Sequence, residues 1–217
     1  VDSSDRLIVI SGLRRTGKTS LMKVVYNEIS LPKVYIDSRE IFPLNPQSVN
    51  QHFVSVLFEL AKKYNLAGAL LDQVKSIELG VKIELKQKEH LLSSILKTIN
   101  VEMGKRKTHA VIFIDEAQKL KPTGIDAVFA YVYDNLSNVK VVVAGSEVGL
   151  LEDFLGREKD APLFGRARNV IKLNRFSAEN SVAFLTSGFK QADKAITQQE
   201  IGEVVGEIDG LAGWLSM

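Results

Sequence analysis

Apolar residues fall along this chain in two rhythms. The runs at 7–10, 34–36, 110–114, 139–144 and 170–173 are continuous, or interrupted by a single Lys, and rich in Val and Ile. Short apolar runs of this kind predict strands buried on both faces. Two-sided burial is what parallel strands need when helices cover the sheet above and below. Between the runs the rhythm becomes helical. Leu21, Val24, Val25 and Ile29 share a face. So do Val49, Phe53, Leu57, Leu60, Ala61 and Tyr64, then Leu92, Ile95, Leu96 and Ile99, then Ile125, Val128, Phe129, Val132 and Leu136. Asn45 before Pro46 marks a helix start, with a polar cap and a Pro where the missing amide costs nothing. Strands alternating with helices predict an α/β fold around a parallel sheet.

One segment departs from this. Ile77, Leu79, Val81, Ile83 and Leu85 alternate with polar residues or Gly80, which predicts a peripheral one-sided strand or hairpin over 77–85. Beyond Leu173 the pattern is helical only. Thr197 and Glu200 have the spacing of a capping box, Ile201, Val204, Val205 and Ile208 follow on one face, and Gly210 is a helix stop. The expected organisation is a core over 1–176 and a helical lid over 177–217.

Composition narrows the function. At 217 residues, 45% hydrophobic and 25% charged, the chain can bury a core without disulfides. It has no Cys, which excludes thiolate metal sites and Cys nucleophiles. The balance of 28 basic and 26 acidic residues is too even to imply a nucleic-acid partner for this segment by itself. No apolar run approaches the ~18–20 residues of a membrane span. The expectation is a cytoplasmic protein with no membrane partner. The absence of an initiator Met, and a finish within an apolar segment at Trp214-Leu215-Ser216-Met217, lead us to expect a piece of a longer protein. His52, His90 and His109 lack metal-ligand spacing, and Trp214 reads as a packing residue.

The strongest chemical signal follows the first strand. Gly12-Leu13-Arg14-Arg15-Thr16-Gly17-Lys18-Thr19 matches G-x-x-x-x-G-K-[ST] in full. The glycines let the backbone curl so that successive amides point at phosphate oxygens. Lys18 adds charge at the β- and γ-phosphates, and the Thr19 hydroxyl can ligate Mg²⁺. The helix that follows presents its positive end to the same anion. Ser20 is a further candidate, for the α-phosphate.

The third strand ends in a pair of acids, Asp115 and Glu116. With the phosphate loop present, Asp115 is expected to hold Mg²⁺ on the side where open α/β sheets bind ligands. Glu116 is expected to polarise a water for attack on the γ-phosphate. A strand lies between the loop and the acidic strand in sequence, which points to the additional-strand class of P-loop ATPases. No Asn/Thr-Lys-x-Asp guanine motif occurs, so ATP is preferred over GTP.

Other positions leave more than one reading open. Ser146, at the tip of the fourth strand, either senses the γ-phosphate or caps a helix. Arg166 and Arg168, before the fifth strand, either supply charge to a transferring phosphoryl group or are structural. Arg14 and Arg15 meet phosphates, a neighbouring domain or acidic side chains. Lys105-Arg106-Lys107 reads as a solvated turn, with a nucleic-acid contact as the alternative.

Together these motifs resemble the archaeal-type ATPase family within the AAA+/STAND-like P-loop ATPases. The resemblance rests on residues 12–21, Phe113-Ile114-Asp115-Glu116-Ala117-Gln118, Val143-Ala144-Gly145-Ser146, Pro162-Leu163-Phe164-Gly165-Arg166 and 209–215. It implies a five-stranded parallel sheet in the order 5-1-4-3-2 followed by a helical lid. It assigns Ser146 to a sensor position and Arg166 to an arginine position acting in cis or in trans. It places Gly210-Leu211-Ala212-Gly213 where relatives have a Gly-x-Pro turn near adenine, with Ala212 here in the Pro position. It also implies a C-terminal winged-helix domain, a route to DNA through that domain, and assembly of several copies.

The leading expectation is a Mg²⁺-ATP switch or motor domain with slow hydrolysis to ADP. An ATP-regulated DNA-binding module of replication-initiator or transposition type is the alternative, with a small-molecule P-loop kinase as a third.

Overall fold

The computed structural model describes residues 5–66 and 85–216, the side chains of 85–90 and Val148 excepted. The predicted 77–85 strand lies outside the described residues apart from Leu85, which opens a helix.

Five parallel strands form one sheet: β1 (Leu7–Gly12), β2 (Lys33–Asp37), β3 (Ala110–Asp115), β4 (Val139–Gly145) and β5 (Asn169–Leu173). Their order is β2-β3-β4-β1-β5, the expected 5-1-4-3-2 read from the other edge. Every residue of β3 and β4 is buried. Because side chains alternate across a strand, β3 divides its apolar residues between two cores. Ala110, Ile112 and Ile114 join the larger core, and Val111 and Phe113 join the smaller one.

The larger core is covered by α2 (Pro46–Lys63), α3 (Leu85–Lys105) and α4 (Ile125–Asn135), which contribute Phe53, Leu57, Ile95, Ile99, Phe129 and Val132. The start of α2 follows its predicted cap: the Asn45 side chain accepts from the Ser48 amide at 2.9 Å, with Pro46 in the first turn. The smaller core lies under α1 (Lys18–Glu28).

Two packing expectations need correction. In α1, Val24 is 51% exposed, while Met22 is fully buried. The helix starts directly from the phosphate loop, and its inward face is set by Lys18 and Met22 at i, i+4. Leu21, Val25 and Ile29 only flank that face, partly buried. In the sheet, β5 is not buried on both faces. It pairs only with β1 and stands at an edge, where Val170 and Ile171 remain exposed.

After β5 the chain forms α6 (Ala178–Gln191), α7 (Gln198–Glu207) and the short α8 (Ala212–Leu215), following α5 (Val148–Phe154) of the sheet layer. Leu185, Ile201 and Leu215 make a separate apolar cluster with Phe176, Val182 and Val205 around them. The capping box is formed: the Thr197 hydroxyl accepts from the Glu200 amide, and the Glu200 carboxylate accepts from the Thr197 amide at 2.8 Å. Gly210 is tied to the exit of β5. It adopts φ 64°, its carbonyl accepts from the Phe176 amide at 2.7 Å, and a Cβ there would lie 2.3 Å from the Phe176 carbonyl oxygen.

Candidate functional site

Parallel strands that share register bring their C-terminal tips to one edge of the sheet. Ser11 is level with Gly145, and Asp37 with Asp115. The connections leaving these tips carry most of the motif residues.

The phosphate loop leaves β1 at Gly12 and enters α1 at Lys18. Gly12 cannot be replaced without moving backbone: a Cβ there would lie 2.4 Å from the Leu173 carbonyl oxygen. Arg15 and Gly17 have φ of 66° and 91°, so the loop curls through left-handed backbone twice. The Thr16 hydroxyl donates to the Leu13 carbonyl at 2.9 Å and pins the curl. Lys18 is buried, and its ammonium donates to the Gly12 and Leu13 carbonyls at 2.9 and 2.6 Å. Burial holds the Lys18 ammonium below its ordinary pKa, against the opposing pull of Glu116 and Asp115.

The loop helix and the acidic strand meet directly. The Thr19 hydroxyl donates to Asp115 Oδ2 at 2.7 Å. Asp115 is 1% exposed and also accepts from the Tyr35 hydroxyl at 3.2 Å on the same oxygen. Burial, then Asp115, pushes the Tyr35 phenol well above its usual range. Arg39 stands beside them, its guanidinium paired with Asp37 and 3.6 Å from Asp115 Oδ2. The hydrogen bond from Arg39 holds the Asp37 carboxyl below the usual carboxylate range.

Glu116 follows at φ 51°, a left-handed turn that is uncommon outside Gly, Asn and Asp. Its Oε2 accepts two hydrogen bonds, from the Ser146 hydroxyl at 2.9 Å and from Gln118 Nε2 at 2.6 Å. Ser146 therefore engages the acidic pair, and the position capping α5 is taken by Glu147 without a side-chain bond. The sequence assigns no role to Tyr35, Arg39 or Gln118, although Gln118 closes the motif that begins at Phe113. Gln118 carried a weak signal, a polar side chain two residues beyond the acid at a buried strand end.

A cleft of about 730 Å³ opens over these residues. The loop, Lys18, Thr19, Arg39, Glu116 and Ser146 line its polar end, and Leu173, Phe176, Phe184 and Ala212 line an apolar wall. The last helix closes on the loop. The Gly213 amide donates to the Arg15 carbonyl at 2.8 Å, and the Arg15 guanidinium lies 3.7 Å over the Trp214 ring. Trp214 packs as a half-exposed stacking partner of the loop. Arg14 and Ser20 also line the cleft.

Arg166 and Arg168 are not brought there. Arg166 donates through Nε to Asp134 at 3.0 Å and forms an ion pair with it, near the end of α4. Arg6, just before β1, reaches the neighbouring Tyr133 carbonyl. That contact marks the edge where strands begin, opposite the cleft across strands about 20 Å long. Arg168 donates to the Leu155 carbonyl at 2.8 Å.

Fold and site together define a P-loop ATPase domain. The chain belongs to the family described as an ATPase domain predominantly from Archaea, which it matches over residues 2–217. A Walker-type ATPase of Pyrococcus abyssi is similar at 30% identity and TM-score 0.75, over 98% of this chain and 61% of that one. The present chain thus spans less than two thirds of that relative's length. Cdc6p from Pyrobaculum aerophilum is 16% identical, with TM-score 0.58 over 92% of this chain and 47% of that one. Domain III of the replication initiation protein DnaA from Thermotoga maritima is 18% identical, with TM-score 0.55 over 98% and 72%. These two share the fold. No curated protein matches the chain. Among the described residues no helix is long and apolar enough to cross a membrane.

Proposed function

We propose that this chain is a cytoplasmic ATP-hydrolysing switch domain that uses Mg²⁺-ATP. The observation that carries the reading is the 2.7 Å contact between Thr19 and Asp115, with Glu116 and Ser146 beside it in one cleft. Residues 12–20 would cradle the phosphates, with Lys18 leaving its two loop carbonyls for phosphate oxygens. Thr19 and Asp115 supply hard oxygen donors in contact, which fits Mg²⁺, an ion that takes one or two protein oxygens beside phosphate and water. Bound there, Mg²⁺ would neutralise charge on the phosphates. Glu116 would polarise the attacking water, and Ser146 would sense the γ-phosphate. The apolar wall of Leu173, Phe176, Phe184 and Ala212 would face the base.

The core over 1–176 and the lid over 177–217 would move relative to one another as ATP turns over. The separate apolar cluster of the helical segment supports that division. The position of Arg166 supports an arrangement in which it serves the site of a second copy, not its own. Steady-state ATP turnover of wild type and Glu116→Gln tests the assignment. Glu116→Gln should still bind ATP and lose at least about 100-fold in rate. Unchanged turnover would remove Glu116 from this role.

A further inference from the structure

Gln118 occupies a place that the assigned roles leave unexplained. It is 4% exposed, and its Nε2 donates to Glu116 Oε2 at 2.6 Å, on the same oxygen that accepts from Ser146. Its Oε1 is buried with no hydrogen-bond partner among the described residues. A buried polar atom left unpaired is costly, so the side chain is held there at the expense of its own acceptor. Its cavity is made by a missing side chain: a Cβ on Gly145 would lie 2.4 Å from Gln118 Oε1. The carboxylate that Gln118 grips is itself turned by left-handed backbone at Glu116.

We propose that Gln118 is a positioning residue that fixes the Glu116 carboxylate for hydrolysis, an inference that rests on the reading of Glu116 given above. With Oε2 held from the protein side, Oε1 is the oxygen left to meet water. The Ser146 hydroxyl has a single proton to donate. When that proton turns to a γ-phosphate oxygen, it leaves Glu116, and Gln118 becomes the donor that keeps the carboxylate in place. Gln118 therefore matters most once ATP is bound, the state in which Glu116 must act. Gly145 is required because it leaves Gln118 the room to reach.

The test compares kcat and ATP affinity for wild type, Gln118→Met, Gly145→Ala, Glu116→Gln and the double variant Gln118→Met/Glu116→Gln. Gln118→Met keeps the length and loses the donor. Gly145→Ala displaces Gln118 from outside and serves if Gln118→Met fails to fold. Each single variant should lower kcat roughly 10- to 100-fold with ATP affinity within about twofold, and Gln118→Asn should not restore the rate, being too short. In the Glu116→Gln background, Gln118→Met should cause no further loss, since it acts through Glu116. The inference is overturned if both single variants turn over at the wild-type rate while Glu116→Gln is inactive. It is equally overturned if kcat and affinity fall together, or if Gln118→Met costs the same factor in both backgrounds. A fully active Glu116→Gln would instead overturn the underlying reading of the acid.

Discussion

At the scale of single residues, the loop depends on atoms that are absent. Gly12→Ala would drive a Cβ into the Leu173 carbonyl, a backbone group that cannot step aside. It should abolish ATP binding in a titration, with β5 loosened beside it. Met22 has the opposite importance. It is fully buried under the sheet, and Met22→Ala should cost about 2–5 kcal/mol in a denaturant melt. Val24→Ala on the exposed side should change stability by less than about 0.5 kcal/mol. The sequence pattern favours the reverse ranking, because a stripe of Leu and Val looks like a buried face whichever way the helix is rotated. That rotation is set where the helix leaves the loop, at buried Lys18, and the apolar stripe does not reveal it. Ser146 was legible only as one of two readings, whereas Lys18, Thr19, Asp115 and Glu116 were legible as neighbours because each lies at or just beyond a strand end or begins the first helix. Tyr35, Arg39 and Gln118 were not, since their roles depend on lateral contacts between neighbouring strand tips.

At the scale of elements, the capping signals in the sequence are met by hydrogen bonds. Asn45→Ala should cost about 1 kcal/mol by freeing an amide at the start of α2. The capping box of α7 has a pH signature. Hydrogen bonds from the Thr197 amide and side chain hold the Glu200 carboxyl below its usual range. A depressed carboxylate stabilises the fold above its unfolded pKa, near ~4.3. That contribution is lost as pH falls through the lower folded value. An NMR titration should find Glu200 titrating below the usual Glu range in wild type and returning toward it in Thr197→Val. An identical midpoint in both would mean that the Thr197 hydroxyl does not act on the carboxylate, leaving the backbone amide as its partner. The strand order was legible only through family resemblance, whereas the strands themselves came from their apolar runs. The edge position of β5 came with that order, but its apolar run by itself predicts burial on both faces. Its Val and Ile look like those of β3 and β4, and only the order of the sheet leaves them uncovered.

At the scale of the whole molecule, the last helix is joined to the phosphate loop. Arg15 stacks on Trp214, and the Gly213 amide bonds to the Arg15 carbonyl. Trp214 is the single Trp of the chain, so its fluorescence reports on the contact between the last helix and the loop. ATP should change that emission in wild type and leave it unchanged in Lys18→Ala. A second consequence concerns copies of the chain. Arg166 lies at the far edge of the sheet from its own cleft, paired with Asp134. If it serves a neighbour, Arg166→Ala mixed with Lys18→Ala should recover turnover that neither has alone, because each supplies what the other lacks. A mixture no faster than the sum of its parts would confine Arg166 to its ion pair.

The role proposed for the loop from Gly12 to Thr19 is to bind the phosphates of ATP beside Asp115 and Glu116. Titration calorimetry with Mg²⁺-ATP addresses it most directly. Wild type should bind one ATP per chain, and Lys18→Ala should lose at least about tenfold in affinity, the loss of a charge-assisted contact, with its melting temperature kept. Equal affinity in the two proteins would mean that the phosphates bind elsewhere.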